Sequence, residues 1–190
     1  MSTQSPQRET NPFGPAVVHP EGPASAAVAQ RVVRYGAAAL RLSIGWVFAW
    51  AFLDKTFGLG HATAGADAWV RGGSPTAGFL SAAPTGPFEG VFHGLAGQPW
   101  ADWLFMTGLL GIGAALLAGV AMRLAAAAGA LMLFLMWLAV LPPANNPVMD
   151  DHLVYAMVLV VLAALGAGHA LGLGRAWESL PVVSRHRWLW

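Results

Sequence analysis

The sequence contains no cysteine, and only 10% of its 190 residues are charged. Without thiols the chain has no disulfide, no thiolate metal site, no iron–sulfur ligation and no redox-active thiol of its own. A soluble domain carries roughly 25% charged residues, so more than half of the usual solvating surface is missing. That shortage excludes an ordinary soluble domain, and the richness in apolar residues excludes a disordered chain. A net charge of +1, with no clustered basic face, speaks against nucleic-acid binding. Also absent are a phosphate-cradling glycine loop, a nucleophile elbow and a zinc-protease helix. What is present is apolar: 56% of residues are hydrophobic and the mean hydropathy is +0.56.

About 20 apolar residues span the roughly 30 Å hydrocarbon core of a bilayer. Tyr35 to Leu53 forms one such run. Trp103 to Leu141 is 39 residues long. As one helix it would reach about 58 Å, so it must fold back. Its single charge, Arg123, follows Gly119 and marks the turn. The expected helices are therefore about 35–53, 103–122, 124–141 and 153–171, with Pro142 and Pro143 ending the third. The fold class expected is all-α, an integral membrane four-helix bundle spanning 31–173. A tail over 1–30 reads as disordered and cytoplasmic, and 174–190 as a cytoplasmic C-terminal tail. Ala49-Trp50-Ala51 has the form of a signal-peptide cleavage site, but the long polar leader and Arg41 argue against cleavage.

Eight of the ten cationic residues fall on the side that holds both termini, and six of the nine acids fall on the other. The positive-inside rule then puts both termini of a multi-pass protein in the cytoplasm; the membrane expected is the plasma (inner) membrane of a prokaryotic cell. Stripes of small residues, Gly111/Ala115/Gly119 and Ala164/Gly168/Gly172, are expected to let helices pack closely. About fifty residues join the first two helices, far more than a usual connection, and point to a functional extracytoplasmic loop or lid. Within it AWVRGGSPTAGFL and GPFEGVFHGLAG read as short amphipathic helices lying in the interface.

The ionisable residues gather at the outer face: Asp54 and Lys55, Asp102, and the run Asn145, Asn146, Asp150, Asp151 and His152. Three readings stay open for Asp150, Asp151 and His152: helix capping, proton exchange or ligand binding, and a divalent metal shared with loop histidines such as His61 and His93. Lys55, the only lysine, either snorkels at a helix end or pairs with an acid or an anion. Arg41, about 9 Å inside the first helix, either snorkels or makes a contact inside the bundle. His169 and His152 lie about 25 Å apart along one helix, so neither can serve one haem together with the other. Trp69, beside Arg71, offers a flat surface for a ring such as a quinone.

The pattern Arg41-x3-Gly45-x2-Phe48, ending in Asp54-Lys55, is followed by GGSPTAGFL, by DWLFMTGLLGIGAALL with Arg123 after it, and by NNPVMDDHLVYAMVL. This ordered set, over residues 35–172, resembles the DoxX/DoxD family of small four-helix membrane proteins. The closest branch is similar to the DoxD-type membrane subunit of thiosulfate:quinone oxidoreductase. The resemblance implies electron transfer from an extracytoplasmic sulfur donor to a membrane quinone, with a second small subunit. On that expectation Lys55 and Arg71, with Asp54 and Asp102 beside them, hold the substrate, while Asp150, Asp151 and His152 handle protons. Trp69 with Trp46 or Trp50 contacts the quinone, and no haem, iron–sulfur cluster or metal is expected. An outer face rich in acids fits an anionic donor poorly unless Lys55 and Arg71 make a local positive spot. The alternative is a non-catalytic scaffold that docks a soluble redox or stress-response partner, and a homo-oligomer stays open under either reading. A small transporter is the weakest reading, because the polar residues lie at one face and not at the midplane.

Overall fold

A computed structural model describes residues 22–190, all helix and turn, with no strand among them. The helices are α1 (Pro23–Phe57), α2 (Ala77–Ala82), α3 (Glu89–Leu95), α4 (Pro99–Ala118), α5 (Met122–Ala139), α6 (Asp151–Ala164), α7 (Gly174–Glu178) and α8 (Pro181–Arg185). Three of them, α1, α4 and α5, are long and apolar enough to cross a membrane. At 1.5 Å per residue α4 and α5 measure about 30 and 27 Å, close to the hydrocarbon thickness, whereas α1 is longer, at about 52 Å. Val47, Leu110, Leu124, Phe134 and Val160 are exposed, a pattern suited to a lipid surround.

Two expectations need correction. Residues 23–30, assigned to the tail, are the first turns of α1: Pro23 sits at the first helical position, where its missing N–H costs nothing, and alanines and Gln30 follow. Residues 1–21 of that tail lie outside the described residues. The fourth helix does not run from 153 to 171. It ends at Ala164, with Gly166 left-handed (φ 60°), and the chain turns through a single 3₁₀ turn at Ala167–His169. At about 21 Å, α6 is shorter than the bilayer core. The segment after residue 173 also folds, as α7 and α8, and the Trp190 carbonyl accepts the Arg123 N–H at 2.6 Å.

α1 packs along α4 and α5 along α6, and the two pairs close on a core of Phe48, Met106, Ile112, Leu116, Leu133 and Leu159. Small residues set the spacing: of the expected stripes Gly119, Gly168 and Gly172 lie at close approaches, but Gly111 does not. A Cβ on Gly111 would meet nothing within 4 Å, so that residue faces outward. On Gly113 it would lie 2.8 Å from the Ala49 nitrogen, and on Gly45 it would lie 2.9 Å from the Leu116 Cβ. The α1/α4 crossing therefore uses Gly45 and Gly113. At Gly129 of α5 a Cβ would press on Leu159, Ile112 and Phe48, one residue from each of the other three long helices.

Arg41 is fully buried and has no carboxylate partner among the described residues. A guanidinium has five N–H donors, and all five are used. Nε donates to the Ala167 carbonyl at 3.1 Å, Nη1 to Leu116 and Leu117, and Nη2 to Ala170 and Leu171 at 3.2 and 2.8 Å. Leu116 and Leu117 belong to the last turn of α4, where carbonyls run short of helical partners; Leu116 also accepts the Gly119 N–H at 3.2 Å. Ala167, Ala170 and Leu171 lie where the chain leaves α6. The contact inside the bundle is thus the one Arg41 makes, and it ties α1 to the ends of two other helices.

Replacing Arg41 by Met takes a donor from five carbonyls, three of them in buried contacts, and of the five Leu116 alone keeps the Gly119 N–H. The Arg41→Met protein should lose at least about 3 kcal/mol of stability. Arg41→Lys, with three donors on one nitrogen, should recover only part of that. Thermal unfolding in mild detergent measures both, and an Arg41→Met protein as stable as the wild type would contradict this role.

Candidate functional site

The connection from α1 to α4 is held down by two buried carboxylates. Asp54, 2% exposed on the last turn of α1, accepts the backbone N–H groups of His61 and Ala62 at 3.3 and 2.9 Å. Gly58, left-handed at φ 64°, ends α1, and its N–H returns to the Asp54 carbonyl. Asp102, on the first turn of α4, accepts three donors on one oxygen: the Ser74 hydroxyl at 2.9 Å, the Thr76 N–H at 3.0 Å and the Thr76 hydroxyl at 2.6 Å. Both acids sit where a burial penalty must be offset by hydrogen bonds, and the loop supplies them, by backbone N–H groups to Asp54 and by two hydroxyls and one N–H to Asp102.

The remaining expected site residues are spread over separate places. Arg71 donates to the Gly65 carbonyl at 2.6 Å and closes its own surface turn. Trp69 packs edge-on against Trp103 at 4.7 Å, while Trp46 and Trp50 stack along α1 at 5.9 Å with His61 edge-on to Trp50. Asp150 caps α6: one oxygen accepts the Leu153 N–H at 3.1 Å and the other lies 2.7 Å from His152 Nδ1. Asp151 Oδ1 stands 3.4 Å from the same nitrogen and is exposed. Asp150, Asp151 and His152 could offer a metal ion one ligand atom each, but capping already engages one Asp150 oxygen and His152 the other.

Lys55 lies elsewhere, at the edge of an apolar cavity of about 400 Å³. The cavity is walled by Phe105 and Gly108 of α4, Leu131 and Met132 of α5, Phe79 of α2 and Phe92 of α3. Among the described residues the Lys55 ammonium is the only charged group on its wall, and it stands 5.9 Å from the centre of the Phe105 ring. Thr76, another polar side chain on the wall, spends its hydroxyl on Asp102. None of Trp46, Trp50, Trp69, Arg71, Asp150, Asp151 or His152 lines this space. Sequence reasoning therefore singled out Lys55 but missed its surroundings, because the walls come from five segments between residues 55 and 136. The only local signal was the phenylalanine content of the two amphipathic pieces.

No family model matches the chain, and no curated protein or solved structure matches it.

If Asp54 and Asp102 serve chiefly to pin the loop, removing either should loosen it locally. In Asp102→Ala, hydrogen exchange should quicken at residues 74–77, with a stability loss of about 1–3 kcal/mol. In Asp54→Ala it should quicken at 61 and 62. Unchanged exchange at both places would show that the loop holds without these clamps.

Proposed function

We propose that this chain is a multi-pass membrane protein that binds a quinone in the cavity headed by Lys55, as the quinone-linked subunit of a DoxX/DoxD-like oxidoreductase. One observation carries the reading: a cavity of about 400 Å³ with apolar and aromatic walls and a single ammonium at its edge. That volume lies within the range of small-molecule sites, which pair apolar walls with a few directing polar groups. A quinone ring fits these walls chemically, and the Lys55 ammonium is a donor suited to one of its carbonyl oxygens. A bound quinone would supply two-electron, two-proton redox chemistry that the side chains of this chain do not.

The other assignments follow as parts of the same proposal. The four long helices form the bundle in the bilayer, with α6 reaching only part of the way across. Seven of the described cations and one acid lie at the end where α1 begins, and two cations and six acids at the end that carries the loop. That separation supports placing the arginine-rich end in the cytoplasm. Asp150, with His152 beside it, remains the candidate proton-handling pair. Thiosulfate as the electron donor rests on the family resemblance alone, and Arg71, bonded to Gly65, is poorly placed to join Lys55 in holding it.

Protein purified in mild detergent should carry quinone detectable by mass spectrometry, and Lys55→Met should weaken its retention about tenfold or more. Gly108→Leu, which fills the cavity, should abolish it. Membranes enriched in the protein should show thiosulfate-dependent quinone reduction if the donor is correct. Absence of bound quinone, with no thermal stabilisation by an added short-chain quinone, would refute the proposal; a stoichiometric soluble partner without quinone would favour a scaffold.

The absence of cysteine makes orientation easy to read. In intact cells an impermeant maleimide should label Ser81→Cys and spare Ser179→Cys; the reverse pattern would invert the topology.

A further inference from the structure

At the arginine-rich end, outside the site described so far, two cavities meet. The first, about 660 Å³, is lined by Gln30, Arg31 and Arg34 of α1, by His169 in the turn after α6, and by Arg175 of α7. Arg31, Arg34 and Arg175 make no ion pair among the described residues, and all three are exposed. Glu178, on α7 with Arg175, is engaged by His169 Nε2 at 2.7 Å. Three guanidinium groups therefore face one space with no carboxylate from the described residues on its wall.

The second cavity is an apolar groove of about 440 Å³ between α1 and α6, walled by Val32, Gly36 and Leu40 on one side and Val154, Met157 and Val161 on the other. Val33, Ala37 and Leu165 line both spaces, so the groove opens directly out of the basic recess. From Leu165 back to Val154 it runs about 17 Å along α6. One leaflet of hydrocarbon is about 15 Å deep, half of a roughly 30 Å core.

We propose that this composite site binds one anionic phospholipid, its headgroup phosphate among Arg31, Arg34 and Arg175 and an acyl chain in the α1/α6 groove. Charge and length together select this occupant. A free phosphate would use the recess and leave the groove empty, and a zwitterionic lipid would fill the groove without neutralising three arginines. Basic recesses between membrane helices are known places for anionic headgroups, and the planar guanidinium matches phosphate oxygens in pairs. The site also has a structural consequence. Its floor is the Ala167–His169 turn, and the carbonyls of Ala167 and Ala170 in this stretch are bonded to Arg41, so a lipid seated here braces the place where α6 breaks. The proposal depends on the bilayer placement but not on quinone, so loss of either ligand leaves the other measurable.

Delipidated protein in neutral detergent is titrated with phosphatidylglycerol, phosphatidylcholine or inorganic phosphate and followed by native mass spectrometry and thermal unfolding. Phosphatidylglycerol should bind one to a chain and raise Tm, while phosphatidylcholine and phosphate leave Tm unchanged. The triple variant Arg31→Gln, Arg34→Gln, Arg175→Gln should bind phosphatidylglycerol on the order of a hundredfold more weakly at low salt, about fivefold for each arginine. Gly36→Leu, placed in the groove with open space around its Cα, should also weaken lipid binding while leaving the arginines in place. On unaltered protein, phosphatidylglycerol with a photoreactive acyl chain should label 32–40 and 154–165. Equal binding of both lipids, stabilisation by phosphate alone, full retention in the triple variant, or labelling confined to α4 and α5 would each overturn the proposal.

Discussion

The buried Arg41 guanidinium is the constraint on which the rest of the fold depends. A lone charge inside an apolar bundle costs far too much unless every donor is met. Here five donors meet five carbonyls, drawn from the end of α4 and from the stretch after α6. The carbonyl ends of helices carry partial negative charge, so the cation sits where two chain segments present carbonyls with acceptor capacity to spare. Leu171 adopts φ 52°, a left-handed conformation that costs a leucine about 1–2 kcal/mol, and its carbonyl is among the five. The same arginine therefore accounts for a buried charge, a truncated helix and a strained residue.

Around that knot the helices approach closely through glycine. Gly119 and Gly168 sit beside it, where a Cβ on Gly168 would lie 2.4 Å from the Gly119 carbonyl oxygen. Farther along, Gly45, Gly113 and Gly129 let α1, α4, α5 and α6 share one core. At the opposite end the same problem, a buried ion, is solved with the opposite sign. Asp54 and Asp102 each accept loop N–H or hydroxyl groups, which draws residues 58–98 down over the ends of α1 and α4. The cavity at Lys55 exists because that loop is held there, with α2 and α3 roofing a gap between α4 and α5. Structure and proposed function are linked at this point: carboxylates that looked like substrate ligands build the walls of a cavity they do not line.

What could be read in advance, and what could not, divides along contact range. The all-helical class and the apolar spans were legible because length and hydropathy are local properties. The turn within 103–141 followed from arithmetic, since 39 residues outrun any bilayer, and Gly119 takes the left-handed cap there. Asp150 as a helix cap was one of the readings its position allowed, and its oxygen does accept the Leu153 N–H. The end of α6 was not legible, because LVYAMVLVVLAALGAGHAL is apolar throughout and its glycines also fit a continuous membrane helix. Only the competition of Arg41 for the carbonyls of residues 167–171 separates the two. One member of the packing stripes, Gly111, was misplaced for a similar reason: Gly111 and Gly113 are alike in sequence, and only the direction of α1 tells which is covered.

By itself the sequence determined that this chain is helical, that its helices need apolar surroundings and that its few charges are sorted to opposite ends. Those properties follow from composition and order along the chain and need no partner residue. The tertiary structure alone decided where each charge spends its hydrogen bonds. Arg41 reaches carbonyls 75 to 130 residues away, and Asp102 reaches back 26 residues to Thr76. It also decided that Lys55 and the three arginines open onto separate cavities. A hydrogen bond between distant residues depends on how helices pack, and packing depends on all of them at once.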